Sequence, residues 1–98
     1  MNEEFVELVL RAVEQIPAGQ VASYGDIAEL VGRGGPRQVG QVMAHHGAAV
    51  PWWRVVRADG RPVRGLEARA LALLGNEGTP LRGDRVIMER ARFAPGRA

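Results

Sequence analysis

Two neighbouring tryptophans are the clearest candidates for a binding function in this chain. Trp52 and Trp53 are its only tryptophans, and they lie near the start of the segment PWWRVVRADG, residues 51–60. Successive side chains of an extended segment point to opposite faces, so we expect one indole to face a cleft or the surface. The alternative is that both rings pack into the core, because tryptophan buries a large apolar area.

Candidates for covalent catalysis or metal binding are absent or weak. The 98 residues contain no cysteine, which excludes disulfides, thiolate zinc sites and a cysteine nucleophile. His45 and His46 are adjacent, and side chains about 100° apart on a helix are poorly placed to share one metal ion. Ser23 is better explained as a helix cap than as a nucleophile. The sequence therefore predicts no catalytic residue, no metal site and no cofactor.

The basic residues are all arginines and are unevenly distributed. Of the 13, only Arg11 precedes residue 33, whereas acids crowd that first third of the chain. Arginine suits the recognition of phosphates and base edges, but an arginine-rich genome composition would give the same count without a function. The start MNEEF lacks the basic and apolar regions of a signal peptide, and no apolar run approaches the roughly 20 residues of a membrane span. We expect a cytoplasmic protein with one domain, residues 1–98.

The elements that position these residues begin with three predicted helices. Apolar residues from Phe5 to Ile16 recur with helical spacing, with Asn2 as the N-cap and Pro17 ending the helix. Ser23 and Asp26 form a predicted capping box for a second helix that ends at Gly32. This helix is expected to bury Ile27, Leu30 and Val31. A third helix, from Pro36 to His46, completes a helix-turn-helix.

The third helix has two distinct predicted faces. Its buried face contains Val39, Val42, Met43 and His46, and its opposite face contains Arg37, Gly40, Gln41 and Ala44, with His45 at the edge. Glycine costs roughly 1 kcal/mol of helix propensity against alanine, so a small residue on an exposed face suggests the close approach of another backbone. The DNA minor groove, about 6 Å wide, would require such a face. The alternative is that this face packs against another part of the same protein.

The second half of the chain predicts a small β wing and one more helix. Ala58-Asp59-Gly60 is a hairpin signal, with residues 61–65 as the returning strand. Leu66, Ala70, Leu73, Leu74 and Glu77 outline a helix closed by Gly78. Residues 86–88 read as a short strand or extended segment, and Phe93 anchors the tail. The predicted fold is mostly α with a small β wing, a winged helix-turn-helix.

Three ordered motifs connect the sequence with a known family. The motifs are IPAGQVASYGDIA, PRQVGQVM and PWWRVVRADGR, followed by an arginine-bearing helix. Together they resemble the C-terminal DNA-binding domain of DNA alkylguanine repair alkyltransferases. The chain resembles more closely the alkyltransferase-like proteins, in which tryptophan replaces the reactive cysteine. The resemblance covers roughly residues 3–94.

The resemblance implies a role for several residues. Tyr24 matches the tyrosine that rotates the phosphate 3′ to the target nucleotide, and Arg37 matches the arginine finger that fills the gap left by a flipped base. Trp52 stands at the cysteine position and lines the lesion pocket, whereas Trp53 replaces the histidine that follows, and we expect it to pack inward and change the shape of the pocket. The predicted DNA-binding residues are Tyr24, Arg37, Gly40, Gln41 and Ala44. The predicted pocket residues are Trp52, Trp53, Arg54 and Val55. Of these, Arg54 is expected to have a structural role or to contact the binding loop.

The resemblance implies a function without catalysis. Alkyl transfer needs a thiolate and normally a histidine base, and both positions are tryptophan here. The implied protein binds duplex DNA in the minor groove, flips O6-alkylguanine into an aromatic pocket, and marks it for nucleotide-excision repair by a UvrA-type damage sensor, acting as a monomer. The loop from Met43 to Pro51 is about two residues shorter than in the family pattern. This difference bears on the size of the alkyl group that the pocket prefers. The alternatives are a winged-helix DNA-binding or regulatory module without lesion preference, and a transferase that uses another nucleophile.

Overall fold

The chain folds into five helices and two small sheets in the part that the computed structural model describes, residues 2–95. The elements in chain order are α1 (Glu3–Glu14), β1 (Ala22–Ser23), α2 (Tyr24–Val31), α3 (Pro36–His46), two 3₁₀ turns (Gly47–Ala49 and Trp52–Arg54), β2 (Val55–Val56), α4 (Glu67–Asn76), β3 (Leu81–Arg82), β4 (Arg85–Val86) and α5 (Met88–Ala91). The predicted class, mostly helical with a small β component, is confirmed. None of these helices combines the length and the apolar character needed to cross a membrane.

Side-chain caps define where the first two helices begin. The Asn2 side chain accepts hydrogen bonds from the backbone N–H groups of Glu4 and Phe5, at 2.8 and 3.2 Å. The Ser23 hydroxyl accepts from the backbone N–H of Asp26, and the Asp26 carboxylate accepts from the backbone N–H of Ser23, both at 3.0 Å. Both predicted starts are therefore confirmed, and they satisfy N–H groups that a helix leaves without partners.

The first three helices enclose the main core. Gly32 ends α2 in the left-handed conformation, with φ 85°, and the chain turns through residues 33–35 into α3. Val9, Val13, Ile27, Val39 and Val42 are fully buried between the three helices. The helix-turn-helix of α2 and α3 is thus held on α1 by branched aliphatic side chains.

The strand pairing differs from the prediction. β2 does not pair with residues 61–65; it pairs in parallel with β1, in the register Ala22↔Val55 and Ser23↔Val56. The turn at residues 57–61 does form, through a hydrogen bond of 2.8 Å from the Arg57 N–H to the Arg61 carbonyl. The predicted position of the wing, with residues 61–65 as its returning strand, is therefore wrong, and the antiparallel hairpin lies between β3 and β4. A local turn signal fixes where the chain reverses but not which distant segment it pairs with.

Gly60 joins this turn to the hairpin through its backbone. Its φ is 88°, its carbonyl accepts a hydrogen bond of 2.9 Å from the Val86 N–H, and a Cβ at this position would lie 2.3 Å from the Val86 carbonyl oxygen. Only glycine allows so close an approach. This contact packs Val86 into a second buried cluster, which consists of Val21, Val56, Leu74, Val86 and Ala91.

Several burial predictions are wrong. Leu30 is 41% exposed, and Ala28 takes its place in the core. His46, the last residue of α3, is exposed and lies beside a surface hollow with Glu3 and Glu7 of α1. Met88 begins α5 and does not continue a strand. Phe93 is packed against the main core, and its N–H donates to the Val21 carbonyl at 2.7 Å, as its predicted anchoring role requires.

Candidate nucleic-acid interface

The outer face of α3 is free of contacts with the rest of the described chain at its centre. Arg37, Gln41 and Ala44 are exposed, and a Cβ at Gly40 would meet no atom within 4 Å. The alternative that this face packs against another part of the same protein is therefore wrong for residues 2–95. Nothing in the packing of the chain explains why position 40 is glycine, so a reason outside the chain is needed.

A cavity of about 350 Å³ opens beside this face. That volume is at the lower end of the range for sites that bind small organic molecules. The walls come from three parts of the chain, namely α2 and α3, the two 3₁₀ turns, and the start of α4 with the residues before it. They are lined by Tyr24, Gly40, Met43, Ala44, Gly47, Ala48, Trp52, Val63, Leu66 and Arg69.

The side chains of the two tryptophans point in different directions. Trp52 lines the cavity, whereas Trp53 packs against the second buried cluster, with the two rings edge to face at 88° and their centroids 5.7 Å apart. The prediction that one of the two indoles faces a cleft is confirmed, and that indole is Trp52. The inward packing of Trp53 is also confirmed. The assignment of Trp53 to the wall of the cavity is wrong, because its ring lies on the other side of the turn.

Arg54 and Val55 also lie away from the cavity, although both were predicted to line it. Val55 is 1% exposed in the main core, where it pairs with β1. Arg54 donates to the Glu77 carboxylate through Nε at 3.0 Å and Nη2 at 2.5 Å, and to the Ile16 carbonyl through Nη1 at 2.9 Å. Of the two predicted roles, Arg54 therefore has the structural one. It fastens the 3₁₀ turn of residues 52–54, which we call the tryptophan turn, to the segment after α1 and to the end of α4.

The Arg54 guanidinium controls the charge state of its partner. The hydrogen bonds from Arg54 hold the pKa of Glu77 below its usual value, while partial burial of this carboxyl works in the opposite direction. The Trp53 indole N–H lowers the same pKa more weakly, and this buried N–H has no hydrogen-bond partner within residues 2–95. Glu77 is thus ionised at neutral pH and available for the ion pair.

Arg69 is a cavity residue that the motif reasoning did not single out. Its guanidinium lies 5.8 Å from the centroid of the Trp52 ring, within cation–π distance. The signal for it was present, since Arg69 is three residues after Leu66 and shares one helix face with it. Recognising the pair would have required knowing that this face meets Trp52, which is a tertiary contact.

Tyr24 lies where the cavity meets the outer surface of the helix-turn-helix. It is half-buried at the start of α2, and burial raises the pKa of its phenol, with the charge of Arg57 acting in the opposite direction. The phenol therefore keeps its proton at neutral pH and can donate a hydrogen bond. A neutral donor at this position suits an anionic partner such as a phosphate.

No candidate metal site emerges in the described residues. Residues 2–95 contain no group of three or more histidine and acidic side chains arranged to hold an ion. His45 donates through Nδ1 to the Gln41 carbonyl at 2.8 Å, and His46 lies beside a surface hollow with Glu3 and Glu7. The two imidazoles therefore have different neighbours and do not share one site.

A helix-turn-helix with a small-residue face and an adjoining cavity that contains Trp52 is the arrangement of a small DNA-binding domain. The family model described as the DNA-binding domain of 6-O-methylguanine DNA methyltransferase matches residues 4–79. Alkyltransferase-like protein 1 of Schizosaccharomyces pombe is 41% identical over 86 residues, which cover 81% of this chain and 80% of that protein. The chain belongs to this family and, within it, to the alkyltransferase-like proteins.

Other relatives agree with this membership. The DNA base-flipping protein of Vibrio parahaemolyticus is 34% identical over 62 residues, which are 60% of this chain and 62% of that protein, less than two thirds of its length. The crystal structure of S. pombe Atl1 with damaged DNA containing O6-carboxymethylguanine matches with a TM-score of 0.84 and 32% identity, over 97% of this chain and 99% of that one. The O6-methylguanine methyltransferase of Mycobacterium tuberculosis gives 0.68 and 33%, over 85% of this chain and 53% of the other.

Proposed function

We propose that this protein recognises O6-alkylguanine in duplex DNA, holds the flipped base in the Trp52 cavity and does not transfer its alkyl group. The observation that carries the proposal is the cavity that adjoins the exposed face of α3, with Trp52 in its wall. A helix bound along a DNA groove would place this cavity next to one strand. The solved complex of the S. pombe relative with damaged DNA supports the assignment.

The face of α3 provides the proposed DNA contact. Gly40 and Ala44 would face the sugar-phosphate walls of the minor groove, where the helix backbone has to come close, and Gln41 would lie beside them. Arg37 is exposed in the first turn of α3 and would fill the gap that the extruded base leaves in the stack. Tyr24, at the junction of face and cavity, would donate to the phosphate 3′ to the target and rotate it outward.

The cavity provides the proposed site for the base. Stacking of a base on an aromatic side chain is worth roughly 1–3 kcal/mol. The Trp52 ring lies in the cavity wall and has the Arg69 guanidinium 5.8 Å from its centroid. A guanine alkylated at O6 has damaged pairing, so it loses less free energy on leaving the helix than an intact base. Selectivity for the lesion would follow from that difference together with the fit of the cavity.

The proposed role is not enzymatic. Transfer of an alkyl group to the protein needs a strong nucleophile, which is a thiolate in the related methyltransferases that act through cysteine, and this chain contains no cysteine. An indole carbon or nitrogen of Trp52 offers no comparable nucleophile. Binding without reaction would leave the lesion in place, so a downstream repair system is required. Family resemblance supports nucleotide-excision repair, with a UvrA-type damage sensor as the partner of a monomeric protein.

Equilibrium binding to matched duplexes tests the proposal. The two duplexes carry guanine or O6-methylguanine at one position and are measured at one stated salt concentration, because phosphate contacts make affinity salt-dependent. We expect the lesion to bind tighter by tenfold or more, about 1.4 kcal/mol. Trp52→Ala should remove most of this preference. Trp53→Phe, a change on the other side of the turn, is the matched control and should keep it.

Two further measurements separate the parts of the proposal. Arg37→Ala and Tyr24→Ala should both lower lesion affinity, because each acts on flipping, and unchanged affinity in both variants would contradict the flipping mechanism. The mass of the protein after incubation with alkylated DNA should stay constant, and an increase would indicate alkyl transfer. Equal affinity of the wild type for both duplexes would leave the DNA-binding module without lesion preference as the better description.

A further inference from the structure

We propose that His45 binds a backbone phosphate of the strand opposite the flipped nucleotide, and that this contact takes up one proton. The inference rests on the proposed function, since it assumes that α3 lies in the minor groove. Between Arg37 and Arg54 there is no lysine or arginine, so His45 and His46 are the only side chains of this stretch that can become cations.

The hydrogen bond of His45 determines what its outer edge can do. Nδ1 lies 2.8 Å from the Gln41 carbonyl, and because a carbonyl oxygen only accepts, Nδ1 carries a hydrogen. In the neutral ring Nε2 is then an acceptor, which a phosphate oxygen cannot pair with. In the imidazolium Nε2 carries a hydrogen and can donate to phosphate. A phosphate contact that keeps the hydrogen bond to the Gln41 carbonyl therefore requires the protonated ring.

The position of His45 around α3 decides which strand it meets. The cavity lies on the flank marked by Gly40 and Ala44, and His45 is about 140° and about 100° around the helix from these two residues. A helix about 10 Å across cannot enter a groove about 6 Å wide without touching both walls. The cavity flank faces the strand that supplies the flipped base. The His45 flank consequently faces the complementary strand.

The charged groups around α3 leave His45 available for this contact. The nearest titratable ring is His46, with the two ring centroids 6.4 Å apart, and the Gln41 carbonyl holds the only hydrogen bond of the His45 side chain in residues 2–95. The charged residues of the neighbouring helices are Glu3, Glu4, Glu7, Arg11 and Glu14 on α1 and Asp26 and Glu29 on α2. None of them forms an ion pair with His45 in the described part of the chain, whereas the negative end of the α3 dipole favours a cation there.

His46 is a natural control for this inference. It follows His45 directly and has the same chemistry, but it lies in a hollow with Glu3, Val6 and Glu7, on the side of α3 that faces α1. His46 therefore lies beside two acidic side chains of the same protein, on a different surface from His45. The two variants His45→Ala and His46→Ala differ in position and in little else.

The salt dependence of DNA affinity at two pH values tests the inference. Each neutralised phosphate adds about 0.9 to the slope of log affinity against log salt, and histidine charge changes between about pH 5.5 and about pH 8. For the wild type we expect a slope steeper by about one phosphate at the lower pH and an affinity three- to tenfold higher, about 0.7–1.4 kcal/mol. His45→Ala should show one slope at both pH values. His46→Ala should keep the difference, and His45→Arg should give the steeper slope at both.

The effect should also be equal for duplexes with guanine and with O6-methylguanine, because a phosphate contact carries no base information. A pH difference that survives in His45→Ala, or disappears in His46→Ala alone, would overturn the assignment. If the wild type prefers the lesion, and Arg37→Ala weakens binding, but no variant changes the slope, the His45 contact fails and the proposed function stands. If the wild type does not bind duplex DNA, both fail. Thermal unfolding of each variant confirms that it is folded.

Discussion

Removal of Arg54 is expected to destabilise the fold more than removal of any surface arginine. Arg54→Ala deletes two hydrogen bonds to Glu77, one to the Ile16 carbonyl, and a guanidinium that lies 5.5 Å from the centroid of the Trp53 ring. The Glu77 carboxylate then has no cationic partner in the described part of the chain, although only 15% of its side chain is exposed. An unpaired buried charge is among the costliest changes that a substitution can make.

The magnitude follows from the exposure of the pair. Breaking a buried ion pair costs about 3–5 kcal/mol, and because 16% of Arg54 and 15% of Glu77 remain accessible, water can partly resolvate the survivor. We therefore expect a loss near the lower end, about 3 kcal/mol, in the free energy of unfolding. For a domain of this size each 1 kcal/mol shifts the melting temperature by about 4–8 °C, so the expected decrease is about 12–24 °C.

This loss in the free energy of unfolding can be measured by urea denaturation in a buffer without added salt, with tryptophan fluorescence as the signal. The matched control is Arg33→Ala, which removes an ion pair with Glu4 of similar distance, 2.6 Å, but with side chains 46% and 72% exposed. That change should cost less than about 1 kcal/mol. The reasoning is refuted if Arg54→Ala costs no more than Arg33→Ala.

The pH dependence of stability is an independent test of the Arg54–Glu77 pair. Because the pKa of Glu77 is lowered in the folded state, its contribution to stability is present above the unfolded value, about 4.3, and is lost as the pH falls through the folded pKa. The stability difference between the wild type and Glu77→Gln should thus shrink as the pH falls from about 7 to about 3. A difference that grows on acidification would contradict the assigned direction of the shift.

Three further predictions follow from glycine geometry and from the cavity. Gly40→Ala should raise the free energy of unfolding by up to about 1 kcal/mol, since the added Cβ meets nothing, yet it should weaken binding to both duplexes; stability and affinity that rise together would contradict a close DNA contact. Gly60→Ala should cost about 2 kcal/mol or more in thermal unfolding because of the clash with Val86, whereas Gly65→Ala, with φ 90° and open space, should cost less. Arg69→Ala should lower lesion affinity about two- to fivefold in equilibrium binding, with partial recovery in Arg69→Lys, because its guanidinium makes a cation–π contact with the Trp52 ring of the cavity wall.

The start of each early helix could be predicted from the sequence because the deciding contacts are local. The Asn2 cap and the Ser23–Asp26 capping box join residues two or three apart, and Gly32 adopts its left-handed conformation within the same short segment. Such signals do not depend on the remainder of the chain. The face of α3 could be predicted for the same reason, since it follows from the helical repeat alone.

Pairing and burial depended on distant segments and were predicted less well. The Asp59-Gly60 turn forms, but β2 pairs with β1, which lies more than thirty positions earlier in the register Ala22↔Val55. Leu30 has the correct spacing for burial and is still 41% exposed, because periodicity gives the direction of a side chain but not the extent of the neighbour that covers it. Arg69 belongs to the cavity through its contact with Trp52, a relation that no spacing along the chain reveals.

The tryptophan turn shows how a correct prediction can rest on a different geometry. Alternation in an extended segment predicted opposite directions for the two indoles, but residues 52–54 form a 3₁₀ turn, in which successive side chains are about 120° apart. Three consecutive residues can then point in three directions: Trp52 to the cavity, Trp53 to the second buried cluster, and Arg54 to Glu77. The two inward contacts hold the turn on the fold, and the outward indole is thereby fixed in place. The same Arg54–Glu77 pair fastens the end of α4, the helix that carries Arg69, so both sides of the cavity depend on one partly buried ion pair.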